Sequence, residues 1–236
     1  LIMGYSFGGP IVTDGLTLCL DAADRNSYPG SGTTWADLSS LGNNGTLSSN
    51  TDFVTRNNGT NKITFDNGEK VNIGDSNKVV IGTNVTYDAW FVTTSTARGY
   101  LFSNVRNSSA SSNLSLAINA EDTDATAGHV SWYVRHSGGL TYLNAGDVDI
   151  NDGKWKNLTC TTTNAAQVMY LNGEVINTGT VSFTNVASTD DAGLMNHLDD
   201  SIPLPGDLAC ARIYQKTLTP EEVKQNFNAQ RSRFGI

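Results

Sequence analysis

Pairs of acidic residues are the first candidates for chemistry in this 236-residue chain, because two carboxylates that face one cleft can hydrolyse a glycosidic bond. The nearest arrangement is Glu121-Asp122-Thr123-Asp124, in a stretch of Asp, Thr, Ala and Gly that predicts a loop. His129, His136 and His197 have no nucleophile or orienting carboxylate at a recognisable spacing. The sequence therefore predicts that the protein is not an enzyme.

A run of oxygen-bearing side chains, Asp147-x-Asp149-x-Asn151-Asp152-Gly153, superficially resembles a calcium-binding loop. In an EF-hand loop the glycine would stand one residue earlier, and a bidentate Glu would occupy the position where this chain has Leu158. We therefore predict a turn that precedes a strand, and we expect no cofactor.

Aromatic and planar polar side chains on an exposed sheet face could bind a sugar, because sugar C–H faces stack on rings and sugar hydroxyls take forked hydrogen bonds. Period-two alternation puts Val130, Trp132 and Val134 on one face of a strand. The opposite face then carries Ser131, Tyr133 and Arg135. If the first set is core, Tyr133 and Arg135, with Tyr142 nearby, are the candidate glycan-binding residues. The alternative is that they only cover the sheet or contact a neighbouring subunit.

The elements that must position these residues are predicted to be strands. The chain is 38% hydrophobic and only 16% charged, with 23 Gly and many Ser, Thr and Asn, a composition typical of short strands joined by turns. Segment 85–92 has apolar residues on both faces, which predicts a central strand. No repeat, linker or composition break divides the chain, so one large all-β domain is expected.

Two local signals are specific. Asn172-Gly173 between apolar runs predicts a β-hairpin with a type I′ turn. The segment Thr219-Pro220-Glu221-Glu222 combines an N-cap, a proline at the first helical position and a capping box, and predicts a short C-terminal helix over 219–229. Val223 and Phe227 form its apolar stripe, which should dock on the sheets.

Charge and cysteine content limit the partners. The net charge of -8 and the absence of a basic cluster argue against nucleic acid or an anionic lipid surface. No apolar run is long enough for membrane insertion, and a signal-peptide layout is missing.

Cys19, Cys160 and Cys210 are predicted to be free buried thiols, which fits assembly in a reducing cytosol. The opening Leu1-Ile2-Met3 leaves two alternatives, an internal Met3 after processing or an unusual start.

Eight different short motifs follow one another along the chain. They are Gly15 to Asp21, Trp35-x-Asp37-Leu38-Ser39, Asn44-Gly45-Thr46-Leu47, Ile63-x-Phe65-Asp66, Ala89-Trp90-Phe91, Asp152-Gly153-Lys154-Trp155, Tyr170-Leu171-Asn172-Gly173-Glu174 and Gly206-Asp207-Leu208-Ala209-x-Ala211-Arg212-Ile213-Tyr214. This series resembles the concanavalin A-like lectin/glucanase superfamily in its laminin-G-like branch.

The resemblance implies an all-β fold, a two-sheet antiparallel jelly-roll sandwich with a short C-terminal helix, over residues 14–236. Residues 1–13 would form an N-terminal arm that reaches a neighbour. Some such domains bind calcium at the rim, which leaves calcium open at Asp190-Asp191 or Asp199-Asp200. Ala209 stands where many relatives carry an acidic residue, which weakens that expectation.

Motifs near the two ends of the chain resemble a smaller group of proteins within the superfamily. Leu20-Asp21-Ala22-Ala23 with segment 27–35, and Asn226-Phe227-Asn228-Ala229 with segment 233–236, are similar to domains in structural proteins of tailed phages. This implies a non-catalytic accessory protein at the virion surface, a capsid decoration or a tail or fibre component, assembled in the host cytoplasm. Its partners would be other virion proteins, in several copies or as a homo-oligomer, and a cell-surface glycan. The alternative is a carbohydrate-binding adhesion module of a bacterial surface or host-adsorption protein.

Overall fold

Two antiparallel sheets enclose a shared apolar core in the computed structural model, which is the predicted fold class. The structure describes residues 9–48, 52–54, 61–66, 68–80, 82–104, 113–122, 124–136, 139–182, 190–197, 199 and 201–236. The strands, in chain order, are β1 (Leu16–Asp21), β2 (Thr34–Trp35), β3 (Gly45–Leu47), β4 (Asp52–Val54), β5 (Lys62–Phe65), β6 (Val71–Asp75), β7 (Val85–Val92), β8 (Gly99–Ser103), β9 (Asn113–Glu121), β10 (Asp124–His136), β11 (Gly139–Ala145), β12 (Lys156–Thr162), β13 (Ala166–Leu171), β14 (Glu174–Thr180), β15 (Asp191–Leu194) and β16 (Gly206–Tyr214).

Each sheet has eight of these strands. Sheet A has the spatial order β14-β13-β12-β7-β16-β5-β4, with β1 also paired to β16. Sheet B has the order β11-β10-β9-β8-β15-β6-β3-β2. A single 3-10 turn, Ser76–Lys78, follows β6, and one helix, α1 (Pro220–Phe234), follows β16 within the described residues. None of the described helices is both long and apolar enough to cross a membrane.

Alternation along the strands builds the core, as the sequence pattern predicts. In β10, Val130, Trp132 and Val134 are fully buried between the sheets. Strand β7 lies between β12 and β16 and is buried along almost its whole length, which confirms the predicted central strand. The hairpin between β13 and β14 turns at Asn172 and Gly173 with φ of 51° and 78°, which confirms the type I′ prediction.

Helix α1 covers the outer face of sheet A. The predicted capping box is present, since the Thr219 side chain accepts from the Glu222 backbone and the Glu222 carboxylate accepts from the Thr219 backbone. The predicted end at residue 229 is too early. The helix continues to Phe234 because that ring stacks on Trp90 of β7 at a centroid distance of 4.1 Å. Apolar burial beyond the predicted stripe therefore extends the helix by more than a turn.

Part of the predicted N-terminal arm packs against this helix. Val12 is buried against Tyr214, Leu218 and Val223, and its backbone N–H donates to Asn226. Residues 1–8 of the arm lie outside the described residues. The three cysteines are free and buried, as predicted.

Candidate functional site

One row of paired residues crosses the outer face of sheet B through all eight strands. From edge to edge it contains Thr34, Thr46, Asn72, Gly193, Ser103, Ser115, Tyr133 and Tyr142. No member is aliphatic, because the apolar neighbours along each strand point into the core. This row is therefore mostly polar, and it ends in two tyrosines that lie directly opposite each other on β10 and β11.

Three tyrosine rings meet at this end of the sheet and form the tyrosine cluster, Tyr100, Tyr133 and Tyr142. The Tyr133 ring centroid lies 5.6 Å from that of Tyr142 and 6.2 Å from that of Tyr100. The Tyr133 hydroxyl donates a 2.6 Å hydrogen bond to the Tyr100 hydroxyl. Tyr133 and Tyr142 are half-buried, whereas Tyr100 is 6% exposed. A partly exposed aromatic surface with fixed hydroxyls results.

A β-bulge places Tyr100 in the cluster. Tyr100 pairs with Ala117 of β9, but Phe102 pairs with Leu116, so Leu101 is an extra residue in β8. Leu101 and Phe102 are both fully buried in the core. Strict alternation from Phe102 would have pointed Tyr100 inwards, and the extra residue turns it outwards instead.

Charged side chains surround the tyrosine cluster. The Arg98 guanidinium carbon lies 5.7 Å from the centroid of the Tyr100 ring. The ring of His197 packs on Tyr100 at 5.2 Å, and its Nδ1 lies 2.6 Å from Asp199 Oδ1. Burial opposes a low pKa for Asp199, but hydrogen bonds from Ser201 and His197 and the charge of His197 together lower it. Asp199 is thus an anion that orients His197.

Two phenols of the cluster, Tyr133 and Tyr142, have a raised pKa. Burial raises the pKa of Tyr133 most, and the nearby Tyr100 phenol and the hydrogen bond to it raise it further. Burial and the charge of Asp122 also raise the pKa of Tyr142, while the charge of Arg135 acts in the opposite direction. Both phenols are therefore neutral at neutral pH, and the Tyr133 O–H is donated to Tyr100.

An unsatisfied polar group lies on the same face. The Ser131 side chain is fully buried two residues before Tyr133, and its hydroxyl has no hydrogen-bond partner among the described residues. Its backbone pairs with Ala117 on one side and with Asn144 on the other. A buried hydroxyl without a partner is costly, and this one is enclosed within the sheet that carries the tyrosine cluster.

The structure brings together Tyr133 and Tyr142, two of the three predicted ligand residues. Arg135 lies on the same face of β10 and is half-buried, paired with Leu140 across the hairpin. Sequence reasoning missed Tyr100 and the packing of His197 on it, because neither the bulge in β8 nor a contact between residues distant in sequence leaves a periodic signal.

The acidic runs contribute no ring to the cluster, although the charge of Asp122 acts on Tyr142. Glu121 ends β9 and pairs with Asp124 at the start of β10, so these two residues of the predicted loop belong to strands. Asp122 Oδ1 accepts from Asn144, and Glu121 lies 3.7 Å from His129. Segment 147–153 precedes β12, as predicted.

Two of the four acidic residues that are candidates for calcium binding accept hydrogen bonds from neighbouring side chains. Asp191 accepts from Asn72, and Asp199 accepts from Ser201. Asp200 lies outside the described residues. Among the residues that the structure does describe, no group of three or more His, Cys, Asp or Glu side chains could hold a metal ion.

Comparison with protein families identifies the fold. A laminin-G-type family model, described as "Concanavalin A-like lectin/glucanases superfamily", matches residues 65–224. The chain belongs to this superfamily. The match includes the tyrosine cluster, since Tyr100, Tyr133 and Tyr142 all lie within it. No curated protein sequence matches the chain.

Several solved structures have a similar fold. Domain 4 of AbnA, a GH43 extracellular arabinanase from Geobacillus stearothermophilus in complex with arabinotriose, has a TM-score of 0.64 and 17% identity, over 89% of this chain and 97% of that domain. The binding domain of Paraclostridial Mosquitocidal Protein 1 has a TM-score of 0.66 and 16% identity, over 92% of this chain and 52% of that one. The Botulinum neurotoxin serotype D binding domain has a TM-score of 0.66 and 18% identity, over 93% and 52%.

The superfamily member described here therefore has the fold of lectin-like binding domains. It spans about half the length of the two toxin binding domains. At these identities the likeness concerns the fold alone.

Proposed function

We propose that this domain is a non-catalytic carbohydrate-binding module whose ligand lies on the tyrosine cluster. The observation that carries the proposal is the convergence of the Tyr100, Tyr133 and Tyr142 rings on one outer sheet face, with the Tyr133 hydroxyl hydrogen-bonded to that of Tyr100. Aromatic rings supply a stacking surface for sugar C–H groups, and hydroxyls and arginines supply directional hydrogen bonds. Arg98 and Arg135 flank the cluster and are suited to sugar hydroxyl or acidic groups.

The comparisons agree with this proposal at the level of fold. The arabinanase domain was solved in complex with arabinotriose, so this kind of sandwich can carry a saccharide ligand.

A glycan array tests the proposal. The wild-type domain should bind a restricted set of glycans. Tyr133→Ala should lose that binding, because the rings of Tyr100 and Tyr142 both contact Tyr133 and would no longer form one surface. Val175→Ala is the matched control, since Val175 is 52% exposed on β14 of the other sheet. Equal binding by wild type and Tyr133→Ala would rule out the tyrosine cluster, and no binding by either would leave only a structural role.

We further propose that the module is carried at the surface of a bacteriophage particle, where other virion proteins hold it in several copies. The support is the similarity of its two ends to domains of tailed-phage structural proteins. The net charge of -8 suits a protein displayed in many copies in solution. Mass spectrometry of purified virions should find the chain at a stoichiometric copy number, and its absence would favour a bacterial surface adhesin instead.

A further inference from the structure

A cleft of about 330 Å³ opens on the outer face of sheet A, on the opposite side of the sandwich from the tyrosine cluster. Its lining residues are Lys62, Val92, Thr93, Thr94, Gly153, Trp155, Gly206 and Asp207. Lys62 alternates with core Ile63, and Val92 with core Phe91, which places both side chains on the outer face. The volume is at the lower end of the roughly 300–1,000 Å³ range of ligand sites. The cleft suits a small ligand.

Trp155 forms an aromatic wall of this cleft. Its ring centroid lies 4.9 Å from that of Phe234, so the last turn of α1 fixes its position. Trp35, Trp90 and Trp132 are 0% exposed, whereas Trp155 is only half-buried. Trp155 is therefore the tryptophan of this chain that a ligand can reach, and its face can stack on an apolar sugar face.

An ion pair supplies the polar part of the cleft. Lys62 Nζ donates to Asp207 Oδ2, and both side chains are 13% exposed. The Thr64 hydroxyl donates to the other carboxylate oxygen at 2.7 Å. An ammonium and a carboxylate side by side offer a donor and an acceptor with no net charge, an arrangement that suits vicinal hydroxyls of an uncharged ligand.

Two glycines line the cleft at points of close backbone packing. At Gly206 an added Cβ would lie 2.3 Å from the Val92 carbonyl oxygen, so no other residue fits without a backbone shift. At Gly153 φ is +75° and a Cβ would lie 3.1 Å from Thr94 Cγ2. The Gly153 N–H donates to the Thr93 carbonyl at 3.1 Å, and the Thr93 hydroxyl donates to the Pro205 carbonyl at 2.6 Å. The cleft is held open by backbone contacts before any ligand enters.

We propose that this cleft is a second carbohydrate site, which takes one neutral sugar residue with its apolar face on Trp155 and adjacent hydroxyls on the Lys62–Asp207 pair. The site is independent of the tyrosine cluster, because the two lie on the outer faces of different sheets. Two sites on opposite faces would allow one domain to bridge two glycan chains or to gain avidity on a dense glycan surface.

Acrylamide quenching of tryptophan fluorescence tests the site directly, because Trp155 is the accessible indole. The full chain is titrated with methyl glycosides of glucose, galactose, mannose and arabinose up to tens of millimolar. At least one neutral glycoside should protect Trp155 from acrylamide. The anionic methyl glucuronide should bind at least about tenfold more weakly, because its carboxylate would lose hydration in a cleft whose ammonium, Lys62, is already paired with Asp207.

Asp207→Asn keeps the side-chain size but removes the charge. It should weaken the binding of the protecting glycoside about tenfold. Tyr133→Ala should leave this affinity unchanged, and thermal denaturation establishes that both variants are folded. The proposal is overturned if no neutral glycoside protects Trp155, if folded Asp207→Asn binds as well as wild type, or if Tyr133→Ala abolishes protection. Loss of array binding in Tyr133→Ala with Trp155 protection unchanged separates this site from the tyrosine cluster.

Discussion

Tyr133 and Tyr100 share a hydrogen bond although they lie on strands that are not neighbours. Strand β9 separates β8 from β10, and strands lie about 4.8 Å apart. The two rings can meet above β9 because Ala117, the residue that pairs with Tyr100 there, has only a methyl side chain. A small residue on the middle strand thus allows aromatic residues of its two neighbours to form one surface.

Ala117→Leu should separate the two tyrosines. Ala117 is 1% exposed beneath the cluster, so three further carbons would enter the space between the rings at a cost of about 1–3 kcal/mol. We expect a folded protein by circular dichroism that has lost glycan binding on the array. Ala166→Leu, at an exposed position on β13, is the matched control and should bind as wild type does. Retained binding in Ala117→Leu would mean that the Tyr133–Tyr100 contact is not needed.

Arg212 and Asp88 form a fully buried ion pair on sheet A, with 1% exposure for each side chain. Asp88 Oδ1 also accepts from Asn157 at 2.7 Å and from Thr159 at 2.8 Å. Arg212→Met would leave this carboxylate uncompensated, and we expect a loss of about 3–5 kcal/mol in the free energy of unfolding. Urea denaturation measures it.

Adding Asp88→Asn to Arg212→Met should restore part of that loss, because the buried charge is then gone while Asn157 and Thr159 keep an acceptor. A double variant less stable than Arg212→Met alone would contradict this explanation of the buried pair.

Glu222 links helix α1 to Lys216 and should make stability depend on acid pH. The hydrogen bond from Lys216 contributes most to the lowered pKa of this carboxyl, followed by the Thr219 backbone N–H. A lowered folded-state pKa stabilises the fold above the pKa of the unfolded chain, and this contribution disappears as pH falls through the folded value. Glu222→Gln keeps the capping box but lacks the charge.

The stability difference between wild type and Glu222→Gln should therefore be constant near neutral pH and shrink below about pH 4.5, the ordinary value for Glu. Guanidinium unfolding at a series of pH values measures it, at constant ionic strength because the pair is partly exposed. A difference that stays the same down to strongly acid pH would show that the charge of Glu222 is not responsible.

Local sequence patterns predict the strands and turns of this domain. Contacts between residues distant in sequence determine which side chains meet at the candidate sites. Period-two alternation correctly assigns Trp132 to the core, and two residues with positive φ correctly define the β13–β14 turn. The bulge that turns Tyr100 outwards cannot be predicted from the local sequence. Gly99 to Ser103 contains apolar residues at both odd and even positions, so alternation does not show which side chains face the core. The cleft beside Trp155 is equally unpredictable, since strands distant in sequence, together with the end of α1, form it.

Gly173 should be more sensitive to substitution than another glycine with the same backbone conformation. Gly173 has φ of +78°, and an added Cβ would lie 3.0 Å from Cδ1 of Phe227 on α1. Gly42 has φ of +75° with nothing within 4 Å of an added Cβ. Gly42→Ala should therefore cost only the backbone strain of about 1–2 kcal/mol.

Gly173→Ala should cost clearly more than Gly42→Ala, because the hairpin or the helix must also shift to relieve the contact with Phe227. Chemical denaturation of both variants measures the free energy of unfolding. Equal losses would mean that α1 can move away from the added Cβ at no measurable cost. A larger loss for Gly173→Ala would show that the β13–β14 turn and α1 are packed as one unit, with the conformation of the turn supporting the helix that also holds Trp155 in its cleft.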